Sequence, residues 1–153
     1  MTGQGTPGGA IGENDVDGGT TTLLSPVFDL SQATQLCMLA YWRWYSNNGG
    51  ATPNTDFWVV DVSNDGGATW VSVENVNPPN NLQNIWLQVT VDIIALFGTP
   101  NQVQLRFKAS DLGSGSIVEA AVDDLAIAAR GAAAAVDEPE ASGPAVTFQV
   151  GPN

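Results

Sequence analysis

The sequence predicts an all-β domain, a sandwich or barrel of antiparallel strands. Three observations carry this reading. Short runs rich in β-branched and aromatic residues recur at intervals of roughly ten to fifteen residues, and Gly, Asn and Pro separate them throughout. No segment sustains a helical period. No internal repeat is present, which disfavours a solenoid or a propeller.

Taken in order, residues 1–19 are Gly-rich with acids clustered in GENDVDGG, and read as loop with at most a short strand near Ala10 and Ile11. TTTLLSPVFDL (20–30) is the first β-type run, and Pro26 assigns part of it to a sheet edge. QLCMLAYWRWYS (35–46) is the most apolar run. DFWVVDVS (56–63) and TWVSVE (69–74) flank a tight turn, and IWLQVTVDI (85–93) follows a Pro/Asn loop. One helical turn fits at 93–97. QVQLRFKAS (102–110) alternates cleanly, with Val103, Leu105, Phe107 and Ala109 on one face and Gln102, Gln104, Arg106 and Lys108 on the other. IVEAAVDDLAIA (117–128) is the last strong run. The chain therefore divides into an N-terminal loop belonging to the domain (1–19), a β-sandwich (20–129), a small, acidic, Pro-containing linker (130–144) and a terminal segment (145–153) whose AVTFQV reads as an added strand.

The 153 residues suffice for one domain with a core, in which roughly two-thirds of the chain's surface is buried on folding. Sixteen acids against four bases give a formal charge of −12. Nucleic acid is disfavoured as a partner, because four scattered bases make no cationic footprint to displace counterions from phosphate. An anionic membrane surface is disfavoured for the same reason, and no stretch is apolar enough to span a bilayer. The chain has no histidine, which removes Ser-His and Cys-His nucleophilic pairs and His-ligated zinc or copper. Cys37 is the only cysteine, so no internal disulfide forms, and its apolar run predicts a buried, inert thiol. Among metals the composition suits hard ions with oxygen ligands, above all calcium. The start, MTGQGTPGGA, lacks the charged and apolar regions of a signal peptide and reads as a Met placed before a segment of something longer.

Residues 63–70, SNDGGATW, fit an Asp-box through Ser63, Asp65, Gly67, Thr69 and Trp70, a pattern best known from sialidase propellers. Its physics is local. Asp65 can accept backbone hydrogen bonds within the turn, Gly66 and Gly67 permit positive φ, and Trp70 covers the turn. Nothing in it cleaves a bond, so the box is read as a structural hairpin.

The acids suggest a second theme. Glu13, Asp15 and Asp17 crowd the N-terminal loop, and Asp123 and Asp124 interrupt the last run. Period-two alternation puts Asp123 on the face of Leu125 and Ile127, where an unpaired charge is costly. Three explanations stand side by side: Asp123 is solvated at a rim, it pairs with Arg43 or Arg106, or it binds a cation with carbonyls near Asp17. The Asp61/Glu74 and Asp123/Asp124 pairs could in principle form a glycosidase couple. Adjacent strand residues point apart, however, and Asp61 and Glu74 read as solvent-exposed.

In YWRWYS, Trp42 and Trp44 share a face with Leu36, Met38 and Ala40, while Tyr41, Arg43 and Tyr45 share the other with Cys37 and Leu39. The Trp face is read as core. The Tyr/Arg face is read as a partly covered outer surface, and its functional alternative is a sugar platform of Tyr41, Arg43 and Tyr45, with Trp58 and Trp86 as further contacts.

The ordered set LLSPVFDLS, YWRWYSN, DFWVVDVSNDGGATW, QVQLRF, ASD and VDDLAI resembles the MAM-like jelly-roll modules attached to secreted bacterial peptidases, notably immune-inhibitor-A-like enzymes and related exoproteins, over about residues 2–128. The resemblance implies an antiparallel jelly-roll β-sandwich of MAM or galactose-binding type. It also implies an accessory, non-catalytic role outside the cell and a bound calcium. Asp17 and Asp123 would hold the ion, with Asp15 and Asp124 as weaker ligands. No HExxH is present to supply peptidase chemistry. AVTFQVGPN is similar to the lead-in to a type IX secretion sorting domain. The implied partners are the peptidase or exoprotein domains of a parent protein and a glycan or cell-surface polymer, with the alternatives of a carbohydrate-binding module and of an assembly unit that makes homo-oligomers by exchanging the 145–150 strand.

Overall fold

In a computed structural model of the chain, the described residues are 9, 18–76, 84–112 and 115–132. The acids Asp15 and Asp17, residues 133–144 of the expected linker and the 145–153 segment lie outside them, whereas Arg130, expected to open the linker, ends the last strand. The elements in order are β1 (Gly19–Leu24), β2 (Phe28–Asp29), β3 (Leu36–Gly50), β4 (Trp58–Ser63), β5 (Val71–Val76), β6 (Leu87–Asp92), α1 (Ile93–Phe97), β7 (Gln102–Asp111) and β8 (Ser116–Arg130). Among the described residues no helix is long and apolar enough to cross a membrane.

The strands form two antiparallel sheets around one core, as the spacing of β-type runs predicts. One sheet has the order β1-β7-β4-β5, with β2 also pairing β7; the other has the order β6-β3-β8. The clean alternation of β7 is realised: Val103, Leu105, Phe107 and Ala109 are buried, and their neighbours are half-buried on the outer face. In β4, Trp58, Val60 and Val62 stand opposite Ala109, Phe107 and Leu105, so the two central strands supply one wall of the core. The single helical turn is stopped at both ends by its sequence. Asp92 accepts a hydrogen bond from the Ala95 N–H at 3.0 Å, and Gly98, at φ 76°, donates its N–H to the Ile94 carbonyl.

Two expectations are corrected. In β3 the core face is that of Cys37, Leu39, Tyr41, Arg43 and Tyr45, all buried, whereas Trp42 and Trp44 are only half-buried on the outer face. The reason lies on a distant strand. A register shift between Val60 and Asp61 in the β4–β5 ladder puts Glu74 opposite Val60, whose side chain faces the core. Glu74 there accepts hydrogen bonds from Tyr41 Oη (2.9 Å), Arg43 Nε (2.8 Å) and Trp58 Nε1 (3.0 Å). A buried charge is tolerable when it is paired and hydrogen-bonded, so Arg43 can point inward. Glu74 is thereby not the solvated acid that its hairpin position suggested.

The second correction concerns β8. Trp42 pairs with Asp123 but Ala40 pairs with Ala126, so β8 carries one extra residue, and Asp124 adopts φ 49°. This bulge breaks the period-two count. Val118, Ala120 and Val122 face the core before it and Ile127 faces it afterwards, while Asp123 falls on the outer face, exposed, across from Trp42. Asp123 does not share the face of Ile127.

Candidate functional site

Three groups of side chains stand out. The first is the Asp-box, which is folded as a self-contained turn. Asp65 Oδ1 accepts from the Ser63 hydroxyl (2.7 Å) and the Thr69 N–H (2.8 Å), and Oδ2 accepts from the Thr69 hydroxyl (2.6 Å). These hydrogen bonds, led by the Thr69 hydroxyl, hold the Asp65 carboxyl at about 2, well below the ordinary 3.8. Gly67 sits at φ 97°, a backbone conformation that side-chain-bearing residues adopt only with strain, so the turn favours glycine there. The Arg106 guanidinium lies over the Trp70 ring at 4.2 Å from its centre, which docks the turn onto the outer face of the first sheet. Arg106 and Lys108 both reach Asp61 Oδ2 at 2.8 Å. Burial raises the Asp61 pKa, but hydrogen bonds and charge from Lys108 and Arg106 outweigh it and hold the group below the usual carboxylate value. Asp61 is therefore buried and paired, not solvent-exposed as its strand position suggested. The carboxylates of Asp65 and Asp61 are thus both engaged in holding the fold.

The second group joins two acids that the sequence reading did not single out. Extending the Trp58–Ala109 register by two residues places Asp56 opposite Asp111, and the linking bonds are present: the Ser110 N–H donates to the Phe57 carbonyl and the Phe57 N–H to Ser110 Oγ. Asp56 is 0 % exposed and Asp111 4 %. The Ser116 hydroxyl lies 2.6 Å from Asp56 Oδ2 and 2.9 Å from Asp111 Oδ1. The Leu112 N–H and the Gly18 N–H donate to the outer oxygens of Asp56 and Asp111 respectively. Three of the four basic residues are committed to Glu74 and Asp61, and Arg130 ends the strand that Ser116 begins. Like charges directly opposite on adjacent strands repel, so these carboxylates lack a counter-charge among the described residues. Both acids continue the inward-pointing phase of their strands, Asp111 after Ala109 and Asp56 before Trp58; that phase was the signal available in the sequence.

The sequence's own metal candidates are distributed differently. Asp123 and Asp124 are exposed on the outer face of the second sheet, and Asp123 Oδ1 accepts the Asp124 N–H at 2.8 Å. Neither is paired to Arg43 or Arg106, which bind Glu74 and Asp61. Gly18, the residue after Asp17, binds Asp111 and not Asp123. Among the described residues no group of three or more His, Cys, Asp or Glu side chains is placed to hold a metal.

The third group is the outer face of the second sheet. Tyr41, Arg43, Tyr45 and Trp58 are all inside the core, so they form no surface platform. Their neighbours take that position. Trp42 and Trp44 project outward, Trp42 between Gln88 and Asp123 and Trp44 beside Ala121. Trp86, 47 % exposed, stands one step beyond the Arg43–Leu87 pair and so across from Trp44. Ser46 and Glu119 pair next along the same strands. The result is a row of three indoles flanked by carboxylate, amide and hydroxyl groups. No family model matches the chain, and no curated protein matches it.

Proposed function

We propose that the chain is a non-catalytic, extracellular accessory module of jelly-roll type, which contacts a glycan or cell-surface polymer on behalf of a larger secreted peptidase or exoprotein. The observation that carries this reading is the Trp42, Trp44 and Trp86 face. Indole faces stack on the C–H side of pyranose rings, and Gln88, Asp123, Ser46 and Glu119 supply hydrogen-bonding groups at its margins. The carbohydrate reading keeps Trp86 and replaces the buried Tyr41, Arg43, Tyr45 and Trp58 by Trp42 and Trp44.

A catalytic carboxylate couple finds no support. Asp61 faces outward on β4 and Glu74 inward on β5, on opposite sides of one sheet, and each is tied up by cations. Their bonds serve the fold.

The resemblance implies calcium, and the donor set at Asp56, Asp111 and Ser116 fits a hard cation with oxygen ligands. Bound there, the ion would supply the missing counter-charge. Further ligands would have to come from the acidic loop that ends at Gly18, where Asp15 and Asp17 precede the anchoring hydrogen bond in sequence. Its role would be structural, bridging Asp56 and Asp111 at the end of the first sheet.

Titrating intrinsic tryptophan fluorescence with a panel of soluble oligosaccharides tests the polymer contact. A saturable change with at least one glycan class is expected. No change with any class would leave only the structural role.

A further inference from the structure

The sandwich is open along one side. β1 ends the first sheet and β8 the second, and they do not pair with each other. Between them lies a groove of about 380 Å³ lined by Leu23, Trp58, Phe107, Ala109, Ala120 and Val122. Leu23 is 56 % exposed, and Ala120 and Val122 are only half-buried although they face the core. Among the described residues the other edge of β8 has no strand beside it; its 116–122 stretch lies before the bulge at Asp124, and the second shift of the β3–β8 ladder, between Ser46 and Gly49, puts its extra residue on β3 rather than on β8. An unpaired edge beside an uncovered apolar groove is a template for one more strand.

The chain carries a segment of matching character. Residues 145–150, AVTFQV, have no charge and alternate: Val146, Phe148 and Val150 fall on one side and Ala145, Thr147 and Gln149 on the other. Residues 1–17 offer only Ile11 and Val16 as large apolar side chains besides Met1 and cannot present such a row. Reach is sufficient. Returning from Arg130 to Val122 covers eight residues, about 26 Å at ~3.3 Å each. The connection 131–144 spans up to about 48 Å when extended and about 20 Å on average as a flexible coil.

We propose that residues 145–150 pair antiparallel with the 116–122 edge of β8 in the same molecule, and that Val146, Phe148 and Val150 fill the groove between β1 and β8. This does not depend on the glycan reading.

Hydrogen exchange on the full chain, read by mass spectrometry beside sedimentation analysis, tests it. Amides in 116–122 and 145–150 should exchange about tenfold or more slower than unstructured chain, at monomer mass. Phe148→Asp should release 145–150 together with those amides of 116–122 that point away from β3, while the amides bonded to β3 and those of β4 and β7 stay protected. Exchange of 145–150 at the unstructured rate in the unaltered chain would overturn the proposal. Protection that appears only with a doubled mass would also overturn it, because the strand would then sit on a second copy.

Discussion

Asp56 and Asp111 face each other across the ends of β4 and β7 and share one hydroxyl, that of Ser116. A hydroxyl carries a single hydrogen, so it can donate to only one of the two carboxylates at a time. The other oxygen contact brings two acceptors together in a buried place, which calls for added positive charge. If that charge is calcium, saturation at about 100 times the dissociation constant contributes about 2.7 kcal/mol. For a chain of this size that is roughly 5–10 °C in melting temperature. Chelator should lower the melt by that order, and Asp111→Asn should make the melt insensitive to chelator. Asp123→Ala, on the outer face, should leave the chelator effect intact. Identical melts with and without chelator would remove the cation from the account.

Glu74 is the hub of the core's polar network, with three donors converging on it. Replacing it by Ala leaves the Arg43 guanidinium buried without its carboxylate, a change that costs about 3–5 kcal/mol. Tyr41→Phe removes one donor and should cost about 1 kcal/mol. Urea midpoints measure both. A Glu74→Ala chain as stable as the parent would mean that Arg43 finds water.

Both tyrosines of the chain are buried, at 0 % and 1 % exposure. Burial, with the Glu74 charge beside Tyr41 and the Asp56 charge near Tyr45, pushes both phenols well above the ordinary 10.0. A folded-state value above the unfolded one means that stability is intact below pH 10 and falls as pH rises beyond it. Absorbance at the tyrosinate band should therefore stay flat through pH 10 and rise only together with loss of circular dichroism. A gradual rise centred near pH 10 in the folded protein would contradict the buried placement.

In the acid range the sign reverses. Asp65 and Asp61 have folded-state values below the ordinary one, so their contribution is present above about pH 4 and is lost as pH falls; for Asp65 the window runs from 3.8 to about 2. Asp65→Ala should melt lower at neutral pH and lose less stability than the parent between pH 4 and 2. Equal pH slopes would show that the Asp-box bonds do not form in solution.

Much of the fold was legible because neighbouring residues decide it. β7 alternates without interruption, the Asp-box carries its glycines, and the helical turn is capped by Asp92 and Gly98. Faces decided by distant residues were not legible. The inward turn of Arg43 depends on Glu74, thirty-one positions away and pointed inward by an irregular register. The parity of β8 depends on Asp124 at φ 49°, a conformation that Asp tolerates but that no glycine announces. The aromatic strand was therefore recognised as important while its two faces were exchanged. The Asp56/Asp111 pair was visible in phase, as acids at inward positions, but only pairing of β4 with β7 brings them together.

The most direct test of the account is glycan binding by the outer tryptophans. A hot-spot aromatic is worth about 2 kcal/mol or more, so Trp44→Ala and Trp86→Ala should each weaken binding of a responsive oligosaccharide by roughly 30-fold in calorimetric titration. Their urea midpoints should stay close to that of the parent. Binding retained in a Trp42→Ala/Trp44→Ala/Trp86→Ala chain would contradict the claim that this face is where the module meets its polymer.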